Sequence, residues 1–209
     1  MKNILTIGKH KVVNGDVMQG VDELMAGEKA EIIYSDPPWG EGNLKYWQTI
    51  NHRMTGAEVK EVNYNAFINQ IFFIAQKYGS GIILIEYGIK WRNDIINIGR
   101  KYGLIHLGIA NLIYQSGSKF LPLDLHVFSN QELILPENYL VNLKNSYGME
   151  TLRKAVTPFA IKDKIILDPC CGMGYTAQIA IETGMSFRGN ELNQKRLDKT
   201  ISRLEKSIK

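Results

Sequence analysis

The segment KIILDPCCGMGYTAQIAI, residues 164–181, decides the fold of this chain. An apolar run ends at Asp168, a turn with Gly172 and Gly174 follows, and a helical pattern begins at Tyr175. Strand, glycine turn and helix in this order are typical of α/β folds, in which ligands bind at the carboxyl ends of strands. The two glycines let the backbone approach a ligand closely, and the start of the helix supplies N–H groups. We therefore expect a cofactor at this turn.

A second acidic residue indicates that the cofactor contains a ribose. Glu191 lies near the end of the strand-like run 186–192, about twenty residues after the turn, where a carboxylate can accept hydrogen bonds from ribose hydroxyls. The spacing of Gly172 and Gly174 also fits the start of a GxGxxG motif, but Ala177 stands at the position of its third glycine. A dinucleotide site and a purely structural turn therefore stay open as alternatives.

The remainder of the chain predicts a single α/β domain over residues 1–209. Short apolar runs alternate with helical patterns, which favours βαβ units and a mostly parallel sheet. Strands are expected at 11–16, 30–35, 81–88, 104–115, 123–130, 164–169 and 186–192, with 104–115 and 123–130 paired as an antiparallel hairpin joined by a longer connection. Helices are expected at 17–25, 64–78, 91–102, 150–159, 175–183 and from residue 194. Residues 40–63 lack a clear period and are expected to form a long loop, and 131–146 is expected to be irregular.

The segment IIYSDPPW, residues 32–39, is the second stretch with specific chemistry. Its strand must end at the two prolines, because proline has no N–H for a sheet ladder. The amino group of a nucleic-acid base is a poor nucleophile, since its lone pair is delocalised into the ring. The Asp36 carboxylate and the Pro37 carbonyl can accept hydrogen bonds from the amino group and so localise its lone pair. Trp39 offers a ring face on which a flipped-out base can stack. The alternative is a strand end with a proline turn and a core tryptophan.

Composition narrows the function classes further. The chain is 44% hydrophobic and 22% charged, as globular proteins are, and its net charge of +4 is compatible with a polyanionic partner. Cys170 and Cys171 are adjacent, which excludes a disulfide scaffold. No signal peptide and no run of about 18 apolar residues is present, so we expect no membrane contact and an intracellular, cytoplasmic location. We expect no metal either, because no ligand spacing links the four histidines His10, His52, His106 and His126.

SDPPW, DPCCGMG and the GNE that ends at Glu191 together resemble the motifs of amino-methyltransferases that act on nucleic-acid bases. SDPPW comes first, and this order resembles the beta class of DNA amino-methyltransferases, in which DPP[YW] precedes DPxxGxG. The resemblance covers residues 11–205. It implies a Rossmann-like S-adenosylmethionine-dependent methyltransferase fold with circularly permuted motif order. It also implies methylation of adenine N6 in DNA, in a microbial or phage-infected cell.

The resemblance assigns roles residue by residue. The catalytic loop would be Asp36, Pro37, Pro38 and Trp39. The loop that holds the methionine part of S-adenosyl-L-methionine would be Asp168, Pro169, Cys170, Gly172 and Gly174. Glu191 would bind the ribose hydroxyls, with Leu192 and Asn193 following as in the family, and Asp16 would lie near the cofactor adenine. Asp16 is equally well explained as a turn aspartate.

The sequence departs from the family's pattern in three respects. Cys170 stands where the family usually has Phe, and residues 145–154 lack the family's Lys-Pro pair, so contacts to the methionine carboxylate from that region are in doubt. No large target-recognition region is present. The candidate substrate-recognition loops are 40–63 and 116–147, so the chain is expected to read little sequence or to depend on a homodimer or a partner subunit.

Basic side chains give a weaker signal. Lys45, Arg53, Lys60 and Lys119 lie in the candidate recognition loops and could contact phosphates, although solvated surface charge is the better explanation for each. The closing helix carries a basic face that we expect to be solvated. Its members are Lys195, Arg196, Lys199, Arg203, Lys206 and Lys209.

Three rival interpretations stay open. The substrate could be cytosine N4 in DNA or adenine in RNA, although Asp rather than Ser at position 36 favours adenine. The chain could be a non-catalytic nucleic-acid-binding subunit, but such subunits typically lose the carboxylate or the glycine turn, and both are present here. An oxidoreductase that uses NAD would leave SDPPW unexplained. Restriction–modification, phage self-protection and regulation are all open as biological settings.

Overall fold

Strands and helices alternate along the chain in the computed structural model, which describes residues 3–58 and 61–208. The strands are β1 Ile4–Ile7, β2 His10–Asn14, β3 Ala30–Ser35, β4 Gly79–Tyr87, β5 Ile105–Ser116, β6 Lys119–Ser129, β7 Ile165–Asp168 and β8 Ser186–Glu191. The α-helices are α1 Asp22–Met25, α2 Gly40–Thr55, α3 Tyr64–Tyr78, α4 Arg92–Lys101, α5 Tyr139–Asn142, α6 Gly148–Val156, α7 Tyr175–Thr183 and α8 Gln194–Lys206. Most of the predicted elements are present within a few residues of their expected bounds.

All of these strands join one sheet in the order β1-β2-β8-β7-β3-β4-β6-β5. The five neighbours from β2 to β4 run parallel. β1 at one edge and β6 beside β4 run antiparallel to them, and β5 at the other edge pairs antiparallel with β6. The predicted α/β class and the predicted antiparallel hairpin are confirmed. The sheet is mixed because the hairpin also pairs antiparallel with β4.

Both faces of β4 and β7 are buried, which explains the apolar runs in their sequences. In β3, Ile32 and Tyr34 face one apolar core and Ile33 faces the other. The first core contains side chains of α6, α7 and α8, and the second contains side chains of α1, α2, α3 and α4. The protein is therefore a sheet between two helical layers.

The prediction of a long loop over residues 40–63 is wrong, because most of this segment is helix α2. Its apolar period is weak since the helix buries only Gly40, Leu44 and Asn51 and leaves most of its side chains at the surface. The helix also begins abruptly after two prolines, at a glycine with φ of 75°. Lys60, a candidate phosphate contact, lies outside the described residues.

The second candidate recognition loop, 116–147, is also corrected by the structure. It contains strand β6 and the short helix α5, and only Gly117 and Ser118 connect β5 to β6. The hairpin therefore has a tight two-residue turn where a longer connection was expected. The edge strand β1 was not predicted, because it is four residues long and mostly unburied.

Candidate active site

A cavity of about 560 Å³ opens at one edge of the sheet. It lies where the parallel strands β2, β3, β7 and β8 end, since the carboxyl ends of parallel strands meet at the same edge. Ten of the residues proposed from the sequence line it: Asp16, Asp36, Pro37, Pro38, Trp39, Pro169, Cys170, Glu191, Leu192 and Asn193. The fold thus brings together two motifs that are 132 residues apart, since Asp36 and Asp168 differ in number by that amount.

Asp168, Gly172 and Gly174 do not line the cavity: Asp168 is the last residue of β7, and the two glycines lie in the turn that follows it. The buried Asp168 carboxylate accepts hydrogen bonds from Cys170 N at 3.0 Å and from Thr176 Oγ1 at 2.6 Å, which ties the turn to α7. A Cβ on Gly174 would lie 2.6 Å from Thr200 Oγ1, so this glycine is required for contact with α8. Both glycines allow the positive φ angles of the turn, and Gly174 also allows its close packing against α8.

Four N–H groups of the turn donate hydrogen bonds within the protein. Cys171 N donates to Asn190 O, Gly172 N donates to the Glu191 carboxylate at 2.8 Å, and Gly174 N donates to Cys171 O. Together with Cys170 N, four turn N–H groups thus have protein acceptors. A pyrophosphate would need such groups to be free.

Glu191 joins the glycine turn to the start of α8. One of its oxygens accepts from Gly172 N and the other accepts from Asn193 N at 2.9 Å. Asn193 in turn caps α8, because its side chain accepts from Arg196 N. The Glu191 carboxylate is therefore held in one orientation at the cavity wall.

Two asparagines that the sequence did not single out hold the strand ends together. Asn190 is almost fully buried and donates from Nδ2 to Gly15 O at 3.1 Å and to Pro169 O at 3.0 Å. Asn14 donates to the main-chain oxygens of Glu191 and Leu192. Both residues lie beside chemically recognisable motifs, and that position is the only signal for them in the sequence.

Asp16 is held by the same arrangement. Its carboxylate accepts from Met18 N at 2.9 Å and caps a short 3₁₀-helix over Val17–Gln19. Gly15 N donates to Glu191 O, so the turn before Asp16 is fixed to the end of β8. Asp16 therefore has the turn-forming role expected of it and also faces the cavity.

The SDPPW segment forms the opposite wall. Asp36 Oδ1 accepts from Trp39 Nε1 at 3.1 Å, and Trp39 N donates to Asn43 Oδ1 at 3.1 Å. The Trp39 ring meets Tyr114 of β5 edge to face, with centroids 5.0 Å apart. Trp39 is half-buried and packs against both apolar cores, so it closes the sheet end and lines the cavity at once.

Several carboxyl groups near the carboxyl ends of the strands have raised pKa values, mainly because they are enclosed by protein. The pKa of Asp168 rises to about 7 and that of Glu191 also rises, in both cases mainly through burial. Glu86, on β4, has a pKa of about 8 because of burial and the nearby Asp36 charge, and it accepts a hydrogen bond from Tyr34. The burial that raises these pKa values also keeps Glu86 largely protonated at neutral pH.

Asp36 is exposed to the cavity, while protein surrounds it on its other sides. This enclosure limits its contact with bulk water and raises its pKa to about 6. The Trp39 N–H and the positive charge of Arg196 act in the opposite direction and favour the carboxylate. Asp36 therefore titrates closer to neutrality than an ordinary aspartate does.

Helix α2 covers the cavity and contributes residues that a loop assignment missed. Asn43, Trp47 and Asn51 line the cavity from this helix. The Arg196 guanidinium lies over the Trp47 ring at 4.4 Å from its centroid, which links α8 to α2. Arg196 also lines the cavity, and its Nε is buried without a hydrogen-bond partner.

The prediction that the basic face of α8 is wholly solvated is wrong for two of its members. Arg196 lines the cavity, and Arg203 donates to Met173 O at 2.9 Å while lying over the Tyr175 ring. The glycine turn is recognisable from the sequence, but the helix that packs on it brings these arginines from further along the chain. Their contacts depend on the tertiary structure.

Known proteins resemble this chain in structure, at low sequence identity. No protein-family model matches the sequence, and no curated protein has significant sequence similarity to it. Among solved structures, TTHA0409 of Thermus thermophilus, which is named as a candidate DNA modification methylase, has a TM-score of 0.68 at 15% identity, and the match covers 95% of each chain. The complex of M1.HpyAVI with S-adenosylmethionine has a TM-score of 0.67 at 14% identity, covering 92% of this chain and 98% of that one. PvuII DNA methyltransferase, specific for cytosine N4, has a TM-score of 0.66 at 12% identity, covering 97% and 91%.

The chain has the methyltransferase fold. At these identities the likeness concerns the fold alone, and it extends over nearly the whole of each chain. Within the described part of the methyltransferase fold, no group of three or more metal-ligating side chains is arranged to hold a metal ion. No described helix combines the length and the apolar character needed to cross a bilayer.

Proposed function

We propose that this protein transfers a methyl group from S-adenosylmethionine to the amino group of a nucleic-acid base, and specifically to adenine N6 in DNA. The observation that carries the proposal is the shared cavity, which residues 36–39 line together with Pro169, Cys170 and Glu191. The fold of TTHA0409 and PvuII DNA methyltransferase supports it as well. Residues 1–209 would act as one catalytic domain.

The cavity suits S-adenosylmethionine better than it suits a dinucleotide. Asp36 and Glu191 line it with carboxyl groups, whose ionised forms attract a cation and repel a pyrophosphate. Four N–H groups of the glycine turn, those of Cys170, Cys171, Gly172 and Gly174, donate to protein oxygens and so are not offered to a pyrophosphate. S-adenosylmethionine, when bound, would supply the methyl group from a positively charged sulfonium.

Each part of the cavity wall has a place in this proposal. Glu191 accepts hydrogen bonds from the ribose hydroxyls, and its two backbone contacts fix it for that purpose. Asp16 lies on the wall assigned to the adenine, and Pro169 and Cys170 on the wall assigned to the methionine part. Cys170 is smaller than the Phe that is usual at this position in the family, so it leaves more space beside the methionine part.

On the opposite wall, the Asp36 carboxylate and the Pro37 carbonyl accept hydrogen bonds from the two N–H groups of the target amine. The trans, N–H-free prolines hold these acceptors in a fixed orientation. Asp36, with its pKa of about 6, can also hold the proton that the methylated amine releases. Positioning and electrostatics therefore provide the rate enhancement, and the transfer needs no covalent link to the protein.

A second candidate substrate is cytosine N4, because a cytosine-N4-specific enzyme shares the fold with a TM-score of 0.66. Asp rather than Ser at position 36 favours adenine over cytosine. RNA is a further alternative. The described strands all join one sheet, without a separate recognition domain among the described residues, and we also propose that a homodimer or a partner subunit contributes to target recognition.

Tritium transfer from labelled S-adenosylmethionine to unmethylated DNA tests the proposal, with RNA as a parallel substrate and nucleoside analysis of the product. Asp36→Ala should nearly abolish transfer and leave cofactor binding largely intact, because Asp36 contacts the amine. Near-normal turnover in Asp36→Ala would show that the assigned role is wrong. Release of labelled N4-methylcytosine would move the proposal to the second substrate.

A further inference from the structure

Tyr87, the last residue of β4, forms a hydrogen bond with the backbone of the SDPPW segment through its hydroxyl group. Its side chain is fully buried, in the second core. Its hydroxyl accepts from Gly40 N at 3.2 Å and donates to Pro38 O at 3.3 Å. Nothing in the proposed mechanism so far uses this hydroxyl.

Tyr64, the first residue of α3, supports Tyr87. The two hydroxyls form a hydrogen bond, and burial raises the pKa of Tyr64 to about 12, so it stays neutral at physiological pH. Trp91 meets the Tyr87 ring edge to face at 5.8 Å. A Cβ on Gly40 would overlap the Trp91 ring, so Trp91 also fixes the position of the Gly40 backbone.

The SDPPW segment needs such an anchor for a reason that its sequence dictates. Pro37 and Pro38 have no N–H group, so the backbone cannot be fastened there through its donors. The next two donors are Trp39 N, which bonds Asn43, and Gly40 N, which bonds Tyr87. Tyr87 therefore holds one of the first two donors after the prolines and also the Pro38 carbonyl.

A tyrosine is costly at this position unless its hydroxyl is used. The neighbours of Tyr87 in the core are largely apolar, and a phenylalanine would fill the same space. A buried hydroxyl without partners is destabilising. The three partners of the Tyr87 hydroxyl account for its presence. One of them, Pro38 O, belongs to the SDPPW segment, and another, Gly40 N, directly follows it.

We infer that Tyr87, supported by Tyr64, is a positioning residue for methyl transfer. By fixing the backbone of residues 38–40, it sets the orientation of the Pro37 carbonyl and of the Asp36 carboxylate. This inference rests on the proposed function. It predicts that the hydroxyl affects the rate of transfer and leaves the cofactor site unchanged.

Tyr87→Phe removes only the hydroxyl and tests the inference. We expect kcat to fall by about tenfold to a hundredfold, because small displacements of reacting groups have effects of this size. Affinity for S-adenosylhomocysteine, measured by calorimetry, should stay within about twofold, since Glu191 and Asp16 are untouched. Tyr64→Phe should also reduce kcat, and the double variant should lose little more than Tyr87→Phe, because both hydroxyls act on one anchor.

Tyr139→Phe is the matched control. Tyr139 is also buried, and its hydroxyl donates to Ala155 O at 2.8 Å, but it does not line the cavity. It should lose a similar amount of thermal stability and keep its kcat. An active wild type with unaffected kcat in Tyr87→Phe would overturn the inference, as would equal losses of kcat in Tyr87→Phe and Tyr139→Phe. A wild type that binds the cofactor and methylates no nucleic acid would refute the proposed function instead.

Discussion

Lowering the pH should reduce methyl transfer through one carboxyl group, Asp36. The ionised carboxylate accepts a hydrogen bond from the target amine. Protonation turns one of its oxygens into an O–H donor, which cannot accept that hydrogen bond. With a pKa of about 6, Asp36 is about 99% ionised at about pH 8 and about 9% ionised at about pH 5. We therefore expect kcat/KM, which reports the free enzyme, to fall about elevenfold over this range.

Two variants assign this titration to Asp36. Arg196 favours the Asp36 carboxylate, so Arg196→Met should raise the pKa of Asp36 and shift the midpoint of the profile to higher pH. Lys199→Met removes an exposed positive charge from the same helix and should leave the midpoint in place. Glu86→Gln should also leave the acidic limb in place, because Glu86, with a pKa of about 8, already carries its proton there.

The assay is tritium transfer at limiting DNA over a series of buffers of constant ionic strength. Circular dichroism at each pH verifies that the fold persists. A kcat/KM that stays flat down to about pH 5, or a midpoint near the ordinary aspartate value of 3.8, would refute the reasoning. So would a midpoint that does not respond to Arg196→Met.

Two further predictions concern stability and use urea unfolding. Gly27 has a φ of 82° and open space around it, so Gly27→Ala should lower the free energy of unfolding by about 1 kcal/mol. Gly174 has a φ of 77°, and a Cβ there would also lie 2.6 Å from Thr200, so Gly174→Ala should lower it further. Equal losses in the two variants would contradict this prediction. Burial raises the pKa of Asp168 from 3.8 to about 7, so its contribution to stability is present below about pH 4 and is lost as the pH rises to about 7. Asp168→Asn should flatten this dependence, and an unchanged slope would exclude Asp168 as its source.

The elements that the sequence predicted well are those whose signals are local. Strands β3 and β7 are continuous apolar runs that stop at proline or at a glycine turn, and α3 and α7 have apolar faces with helical spacing. Helix α2 escaped prediction because it lies on the surface over the cavity and buries few residues. With three buried residues among sixteen, the helix has no clear apolar period in its sequence.

The sequence by itself determined the α/β class and the residues at the strand ends that face the cavity, because both depend on short apolar runs and on the backbone chemistry of proline, glycine and aspartate. Only the tertiary structure decided how Asn190, Tyr87 and Arg196 take part. Each of them acts across long stretches of chain, through hydrogen bonds and ring contacts that sheet pairing and helix packing create. The tertiary structure also decided that the N–H groups of Cys171 and Gly172 bond to protein oxygens, because their acceptors, Asn190 O and the Glu191 carboxylate, come from β8.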